Sequence, residues 1–162
     1  WHSSTAANWN HENIMAAPER RTDFEARLLS ALKPAVTDIF GWIILPNHYH
    51  ALLAVEPLDS LAVALQHLHG TTSREWNRAD GMTGRRRVWY YYHDHVIRNE
   101  AHFYQALNYI HINPVKHGYT SRAADWPHSS IHRYIAHGIV NGDWAAEVAD
   151  SGLDEREVRS PD

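Results

Sequence analysis

The sequence predicts an α+β fold, a ferredoxin-like split β-α-β antiparallel sheet with helices packed on one face. Two observations predict it. Apolar residues with helical spacing alternate along the chain with short runs rich in β-branched and aromatic residues, which are typical of strands. These runs follow one another in the order strand, helix, strand, strand, helix, strand, helix. The 162 residues suit one domain with a sizeable core, which we place at residues 1–142.

The first half of the chain contains the predicted β-α-β unit. Residues Ser4–Asn8 indicate only the end of an edge strand, as if the N-terminal strand were truncated. Pro18–Val36 predicts a helix, because proline suits the first helical position and the apolar residues that follow recur every three or four positions. Apolar residues on both sides of Pro46-Asn47 predict an antiparallel hairpin over Trp42–Val55.

The second half continues the alternation. We predict a helix over Leu58–Trp76, an aromatic strand over Val88–Tyr92 and a third helix that begins near Asn99. Proline disfavours helical geometry in the residue before it, so Pro114 is expected to end the third helix one residue earlier. A short helix is expected at residues 130–135, where serines precede an apolar run.

Composition excludes several classes of protein. The chain has no cysteine, which rules out disulfides and thiolate metal sites. No apolar run reaches the roughly 18–20 residues that a membrane helix needs, and no signal peptide is recognisable at the start. With 44% hydrophobic and 21% charged residues, the chain has the composition of a globular protein. We expect it in the cytoplasm and without a membrane partner.

The net charge of −4 hides an uneven distribution of charge. Residues 143–162 hold seven acids and two arginines, and we predict that they form an acidic, flexible tail. Between Ser60 and Arg122 there are eight basic residues and four acids. A positive middle combined with an acidic tail is compatible with nucleic acid binding, which the total charge would conceal.

Two histidines follow the turn of the predicted hairpin. His48 and His50 are separated by one residue in a strand, so both side chains project from the same face while Tyr49 points to the other. Two imidazoles on one face of a sheet are able to bind a cation between them. The alternative is a pair of partly exposed histidines in a chain that has 14 of them.

The third predicted helix carries a tyrosine and an asparagine one turn apart. At this spacing Tyr109 and Asn113 share a helix face. A tyrosine hydroxyl has a pKa of about 10, so it attacks a phosphate only when that value is lowered or when a cation polarises the phosphate. Asn113 would give such a cation an oxygen ligand beside the two imidazoles. Alternatively, Tyr109 is an aromatic residue on the helix surface.

A basic and aromatic stretch is the candidate nucleic-acid interface. Arg85, Arg86 and Arg87 precede Trp89, and Lys116 lies just beyond the third predicted helix. Single strands are held by guanidinium groups on phosphates and by aromatic faces on unpaired bases. The arginine-rich stretch is equally compatible with a solvated loop that leads into a core strand.

Several other histidines are expected to have no catalytic role. We expect His111 to pack inside the protein, because it lies two residues from Tyr109 and therefore on another helix face. His69 has no acidic partner at ligand spacing and is expected to be exposed. His93 and His95 are expected to be structural or to face nucleic acid.

Four short segments together resemble one family. Leu45–His50 resembles the His-hydrophobic-His (HUH) motif of single-tyrosine transposases, and Tyr109–Gly118 resembles the Tyr-Ile-His-x-Asn-Pro-Val signature of the REP-associated tyrosine transposases. Tyr92–Glu100 and Asp125–Ser130 resemble further segments of the same proteins. All four segments occur in the family's order, which makes the set more specific than any one of them.

The resemblance implies a metal-dependent endonuclease and transposase that cleaves and rejoins single-stranded DNA near hairpins. By position, Tyr109 would be the nucleophile and would form a 5′-phosphotyrosine link. His48 and His50 would bind Mg²⁺ or Mn²⁺, and Asn113 would supply a third ligand. The expected partner is therefore single-stranded DNA with a REP-like hairpin, and the resemblance favours a monomer over a dimer.

Two other functions are compatible with the sequence. A catalytically inactive relic of the same fold would bind nucleic acid without forming a covalent adduct. A metal-dependent hydrolase would use His48 and His50 to activate water, and its cleavage would survive the loss of the Tyr109 hydroxyl.

Overall fold

The computed structural model describes residues 1–84 and 86–142. One antiparallel sheet is formed by four strands, β1 (His2–Ala7), β2 (Asp38–Ile44), β3 (His48–Ala54) and β4 (His93–Val96). The helices are α1 (Pro18–Leu32), α2 (Leu58–Ala79), α3 (Glu100–Lys116) and α4 (Ile131–Ala136). The strand order β2-β3-β1-β4 is that of the split β-α-β sheet, so the predicted α+β, ferredoxin-like fold is confirmed. Arg85 and the predicted acidic tail lie outside the described residues.

Different helices cover the two faces of the sheet. Side chains alternate along β3, so Tyr49 and Leu53 face one side and Leu52 faces the other. Tyr49 and Leu53 belong to the larger core with α1 and α2, whereas Leu52 packs with Leu107 and Ile110 of α3. Helices α1 and α2 therefore pack together on one face of the sheet, as predicted. Helix α3 adds a layer on the second face, because its own apolar stripe has to be buried.

Strand β1 lies in the middle of the sheet, whereas the sequence predicted an edge strand at Ser4–Asn8. It pairs with β3 on one side and with β4 on the other, so that Ser4 lies opposite both Ala51 and Asp94. The side chains of Ser4 and Ala6 are buried. Backbone hydrogen bonds to β3 and β4 hold this strand in the sheet. These bonds do not depend on the type of side chain, so they produce no apolar periodicity from which the sequence could predict the strand.

The predicted end of the third helix and the predicted strand after α2 were wrong. Helix α3 continues through Pro114 to Lys116, because the proline lies in the last turn and removes only its own N–H group. The His117 N–H closes this turn by donating to the Asn113 carbonyl at 3.0 Å. Val88–Tyr92 forms no regular strand, and only Trp89 makes an isolated bridge there.

No helix in the described part of the chain is long and apolar enough to cross a bilayer.

Trp89 is a core residue, so its predicted contact with DNA was wrong. Its side chain is 5% exposed and its ring packs against Phe24 and Trp76. The indole Nε1 donates to Thr72 Oγ1 at 3.0 Å. An indole that is buried and already hydrogen-bonded has no free face for a nucleobase. The Trp89 ring therefore packs inward, against Phe24 of α1 and Trp76 of α2.

His69 is half-buried, although it was expected to be exposed. Its Nε2 atom lies 3.0 Å from the Tyr49 hydroxyl and its ring stacks on Trp89. Burial lowers the pKa of His69 to about 4. His111 packs inside the protein as predicted, with its Nε2 atom 2.8 Å from Ser130 Oγ, and burial lowers its pKa to about 4 as well.

Truncation of Trp89 should destabilise the fold. We expect Trp89→Ala to lower the free energy of unfolding by about 3–5 kcal/mol, because it removes a buried ring and the hydrogen-bond partner of Thr72. Tyr91→Ala is the control: Tyr91 is 79% exposed, so its truncation should change the free energy by less than about 0.5 kcal/mol. Urea denaturation measures both values, and similar losses in the two variants would contradict the core position of Trp89.

Stability should also depend on pH through the buried imidazoles. The folded protein holds His69 neutral with a pKa of about 4, whereas an unfolded histidine titrates at about 6.5. The stabilisation is therefore complete above pH ~6.5 and is lost as the pH falls towards about 4. Urea denaturation across this range should show a falling free energy of unfolding, and His69→Gln should flatten the fall. A slope that His69→Gln leaves unchanged would argue against the assignment.

Candidate active site

The three side chains predicted to bind a cation come together on the face of the sheet that α3 covers. His48 and His50 project from β3 with their ring centroids 5.0 Å apart. Asn113 is buried in the last turns of α3 and places its Nδ2 atom 3.4 Å from His50 Nε2. The Asn113 Oδ1 atom is buried, and no described residue lies within hydrogen-bonding geometry of it. Two imidazoles and one amide thus converge on one point.

Hydrogen bonds at the Nδ1 atoms orient both imidazoles. The Asn47 amide donates from Nδ2 to the His11 carbonyl at 3.1 Å, which directs its Oδ1 atom to His48 Nδ1 at 2.6 Å. His48 therefore carries its proton on Nδ1 and presents a lone pair at Nε2. His50 Nδ1 lies 2.7 Å from Thr5 Oγ1 on the neighbouring strand. When His50 donates to that hydroxyl, its Nε2 atom is also free to accept.

Burial keeps both imidazoles neutral. Burial, followed by the proximity of His117, lowers the pKa of His48 to about 4. Burial, followed by the proximity of His48, holds the pKa of His50 well below its ordinary value. A neutral imidazole is the form that binds a metal ion.

The donor set fits a divalent cation. In the part of the chain that the structure describes, no group of three histidine, aspartate or glutamate side chains has the geometry of a metal site. The Asn113 oxygen, which is buried and has no partner among the described residues, is suited to be a third ligand beside the two histidines. The amide oxygen and nitrogen exchange places by a flip of the side chain, which would turn the oxygen towards His50.

Tyr109 lies beside this group of ligands, one helical turn before Asn113. The Tyr109 ring is half-buried, and its centroid is 5.5 Å from that of His50. The Nζ atom of exposed Lys116 lies 4.7 Å from the centroid of the Tyr109 ring. The structure thus gathers a phenol, two imidazoles, an amide and an ammonium group within one chain.

The sequence did not single out three neighbours of this group. His117 is exposed, and its ring centroid is 5.2 Å from that of His48. Its position four residues after Asn113, on the same helix face, was a signal that could have found it. Asn47 and Thr5 had no such signal, because their contacts depend on the conformation of the turn and on the register between β1 and β3.

The structure separates the arginines of the predicted nucleic-acid interface. Arg85 lies outside the described residues. Arg86 is paired within the protein: its NH2 atom is 2.7 Å from Asp80 and its Nε atom donates to Asn77. Arg86 therefore holds the end of α2 to the following loop. Arg87 is exposed, with its guanidinium carbon 4.4 Å from the centroid of the Trp9 ring.

Comparisons with known proteins agree on one family. No family model matches the sequence. A REP-associated tyrosine transposase of Escherichia coli strain K12 is 33% identical over 122 residues, which cover 74% of this chain and 69% of the relative. A sequence from Haemophilus influenzae with the same family name is 34% identical over 115 residues, which cover 62% of each protein.

A solved structure has the same fold. It is a REP-associated tyrosine transposase bound to a REP hairpin, and it matches with a TM-score of 0.70 and 24% identity over 89% of this chain and 84% of that chain. The match includes the four-stranded antiparallel sheet with its packed helices. The similarity to the Escherichia coli protein extends over most of both sequences. This chain therefore belongs to the family of REP-associated tyrosine transposases.

Proposed function

We propose that this protein is a metal-dependent endonuclease and transposase that cleaves and rejoins single-stranded DNA beside a hairpin through a 5′-phosphotyrosine intermediate. The observation that carries the proposal is the position of Tyr109, whose ring centroid lies 5.5 Å from that of His50. A solvent-exposed tyrosine elsewhere on α3 would have no such neighbours. Here the Tyr109 ring packs beside His50, one of the buried imidazoles that would hold the cation and the phosphate.

His48, His50 and Asn113 would hold Mg²⁺ or Mn²⁺. The cation would supply Lewis-acid polarisation of the phosphate that is attacked. Thr5 and Asn47 would fix the ring orientations, so that the Nε2 atoms face the site before DNA arrives. Two nitrogen ligands favour Mn²⁺ over Mg²⁺, because Mg²⁺ prefers oxygen.

The proposed cleavage exchanges one phosphate ester for another. The Tyr109 hydroxyl oxygen forms a bond to phosphorus, the bond to the 3′-oxygen breaks, and the phenol proton is released while the 3′-oxygen gains one. Rejoining is the reverse, since a 3′-hydroxyl attacks the phosphotyrosine and restores the phenol. The ammonium group of Lys116 would place a positive charge beside the entering phosphate.

We propose that the DNA partner carries a hairpin next to the cleaved single strand. The support is the solved relative, which is bound to a REP hairpin. We also propose that a monomer is sufficient for cleavage, because Tyr109 and His50 of the same chain lie side by side. A dimer that exchanges its tyrosine helices is not needed to complete this site.

Loss of the Tyr109 hydroxyl should abolish the covalent adduct. We expect wild-type protein with Mn²⁺ and a hairpin that has single-stranded flanks to form a protein–DNA band that resists boiling in detergent. Tyr109→Phe should lose this band, because the attacking oxygen is absent, and should keep its affinity for the DNA. Tyr104→Phe is the matched control, since Tyr104 is an exposed tyrosine on the same helix.

The same assay separates the alternatives. Cleavage that survives in Tyr109→Phe would identify a hydrolase that activates water. Binding of the hairpin by wild-type protein, with neither an adduct nor cleavage, would identify an inactive relic of the fold. Either result would overturn the proposed phosphotyrosine chemistry.

Loss of the Thr5 hydroxyl should weaken binding of the cation. We expect Thr5→Val to weaken Mn²⁺ binding by about 10- to 100-fold, because His50 loses the partner that orients its ring. Ser3→Ala on the same strand is the control, since Ser3 lies opposite Leu52 of β3 and His95 of β4, and neither is a proposed ligand. Titration followed by Mn²⁺ electron paramagnetic resonance measures both. The same affinity in Thr5→Val and Ser3→Ala would contradict a cation at His50.

A further inference from the structure

An aromatic and basic surface next to the active site has no role in the chemistry above. It consists of Trp9, Arg87 and Tyr90, and we call it the aromatic platform. The ring centroids of Trp9 and Tyr90 are 4.5 Å apart at an interplanar angle of 35°. The Arg87 guanidinium lies over the Trp9 ring and reaches towards Tyr91, which is 79% exposed. Unlike Trp89, these rings are not enclosed in the core.

The charge on the platform is available to an anion. Arg87 is exposed, and its Nε atom donates to the Trp89 carbonyl at 3.1 Å, which fixes the plane of the guanidinium. Among the described residues, Arg87 forms no salt bridge, whereas Arg86 is paired with Asp80. The guanidinium of Arg87 is therefore held in position, and no acidic side chain of the described residues neutralises it. This combination suits a phosphate that lies beside an aromatic face.

The loop that carries Trp9 is held in a strained conformation. Asn10 and His11 have φ angles of 54° and 52°, in the left-handed region that residues other than glycine seldom adopt. The Trp9 N–H donates to the Val88 carbonyl at 2.9 Å, and the Tyr90 N–H donates to the Ala7 carbonyl at the end of β1, also at 2.9 Å. Surrounding contacts thus maintain the strain and fix both rings, as at many binding sites.

One side chain connects this loop with the active site. The Asn47 amide donates to the His11 carbonyl and accepts from His48 Nδ1. The Asn47 carbonyl in turn accepts from the Asn8 N–H at 2.7 Å. The residue before Trp9 and the first histidine of the site are therefore attached to the same asparagine. The loop of the aromatic platform is therefore held in a fixed position relative to the site.

We propose that the aromatic platform is a binding subsite for unpaired nucleobases of the single strand that flanks the cleaved phosphodiester. Trp9 and Tyr90 stack on bases, and Arg87 binds the backbone phosphate between them. The inference rests on the proposed function, since a single-stranded substrate at His48 brings its flank to this surface. A guanidinium that has no carboxylate partner among the described residues and lies over the Trp9 ring favours a polyanion with aromatic bases as the occupant.

The test compares two labelled DNA hairpins with the same stem, one blunt and one with a single-stranded flank of about eight nucleotides. Fluorescence anisotropy at one fixed salt concentration measures their affinities. We expect Trp9→Ala and Arg87→Ala to weaken binding of the flanked hairpin by about 5- to 100-fold and of the blunt hairpin by less than about twofold. Trp9→Phe keeps a stacking ring and should retain most of the affinity.

Two exposed residues outside the platform are the controls. Tyr104→Ala and Arg74→Ala remove an exposed aromatic ring from α3 and an exposed arginine from α2, and they should bind both hairpins like wild type. Circular dichroism establishes that each variant is folded. If Trp9→Ala does not fold, Trp9→Phe and Arg87→Ala decide the question.

Three outcomes would overturn the subsite: unchanged binding of the flanked hairpin by folded platform variants, equal losses for both hairpins, or equal losses in the control variants. The adduct of Tyr109 is scored separately. An adduct in wild-type protein without selective loss in the platform variants overturns the subsite alone. Selective loss in the platform variants without any wild-type adduct supports the subsite and overturns the proposed cleavage.

Discussion

The alternation of side chains along β3 is the constraint on which the rest of the structure depends. Tyr49, Ala51 and Leu53 are buried against α1 and α2, which leaves His48 and His50 on the face that α3 covers. A shift in register by one residue would place the histidines among the apolar side chains of α1 and α2 and would move Tyr49 to the face that α3 covers. The apolar core on one face therefore determines where the polar site lies on the other.

The second face combines burial with polarity, and this combination has an energetic cost. An imidazole withdrawn from water loses hydration, which holds the pKa of His50 well below its ordinary value. Thr5 satisfies one ring nitrogen of His50, and Asn113 approaches the other. The Asn113 oxygen has no partner in the described part of the chain, and a buried polar atom without one costs about 1–3 kcal/mol. In the function that we propose, a cation would offset this cost, so that ligand binding and stability are linked.

Most elements were predictable because their signals are local, and the errors occur where the signal is tertiary. The helix periods of α1 and α2 and the turn at Pro46-Asn47 placed four of the main elements, namely α1, α2, β2 and β3. Strand β1 was predicted only as the end of an edge strand, because its small side chains show no apolar periodicity. In the structure it pairs with a neighbour on each edge. Trp89 was assigned to the surface, because its neighbours are arginines in sequence but Phe24 and Trp76 in space.

The sequence by itself determined which residues share a face: His48 with His50 on a strand, and Tyr109 with Asn113 on a helix. Strand and helix periods are properties of the local backbone, so they can be derived from spacing. Only the tertiary structure decided that these two faces meet and that Thr5 orients His50. Those contacts join residues far apart in the chain, and their proximity follows from the strand order and from the packing of α3 on the second face of the sheet.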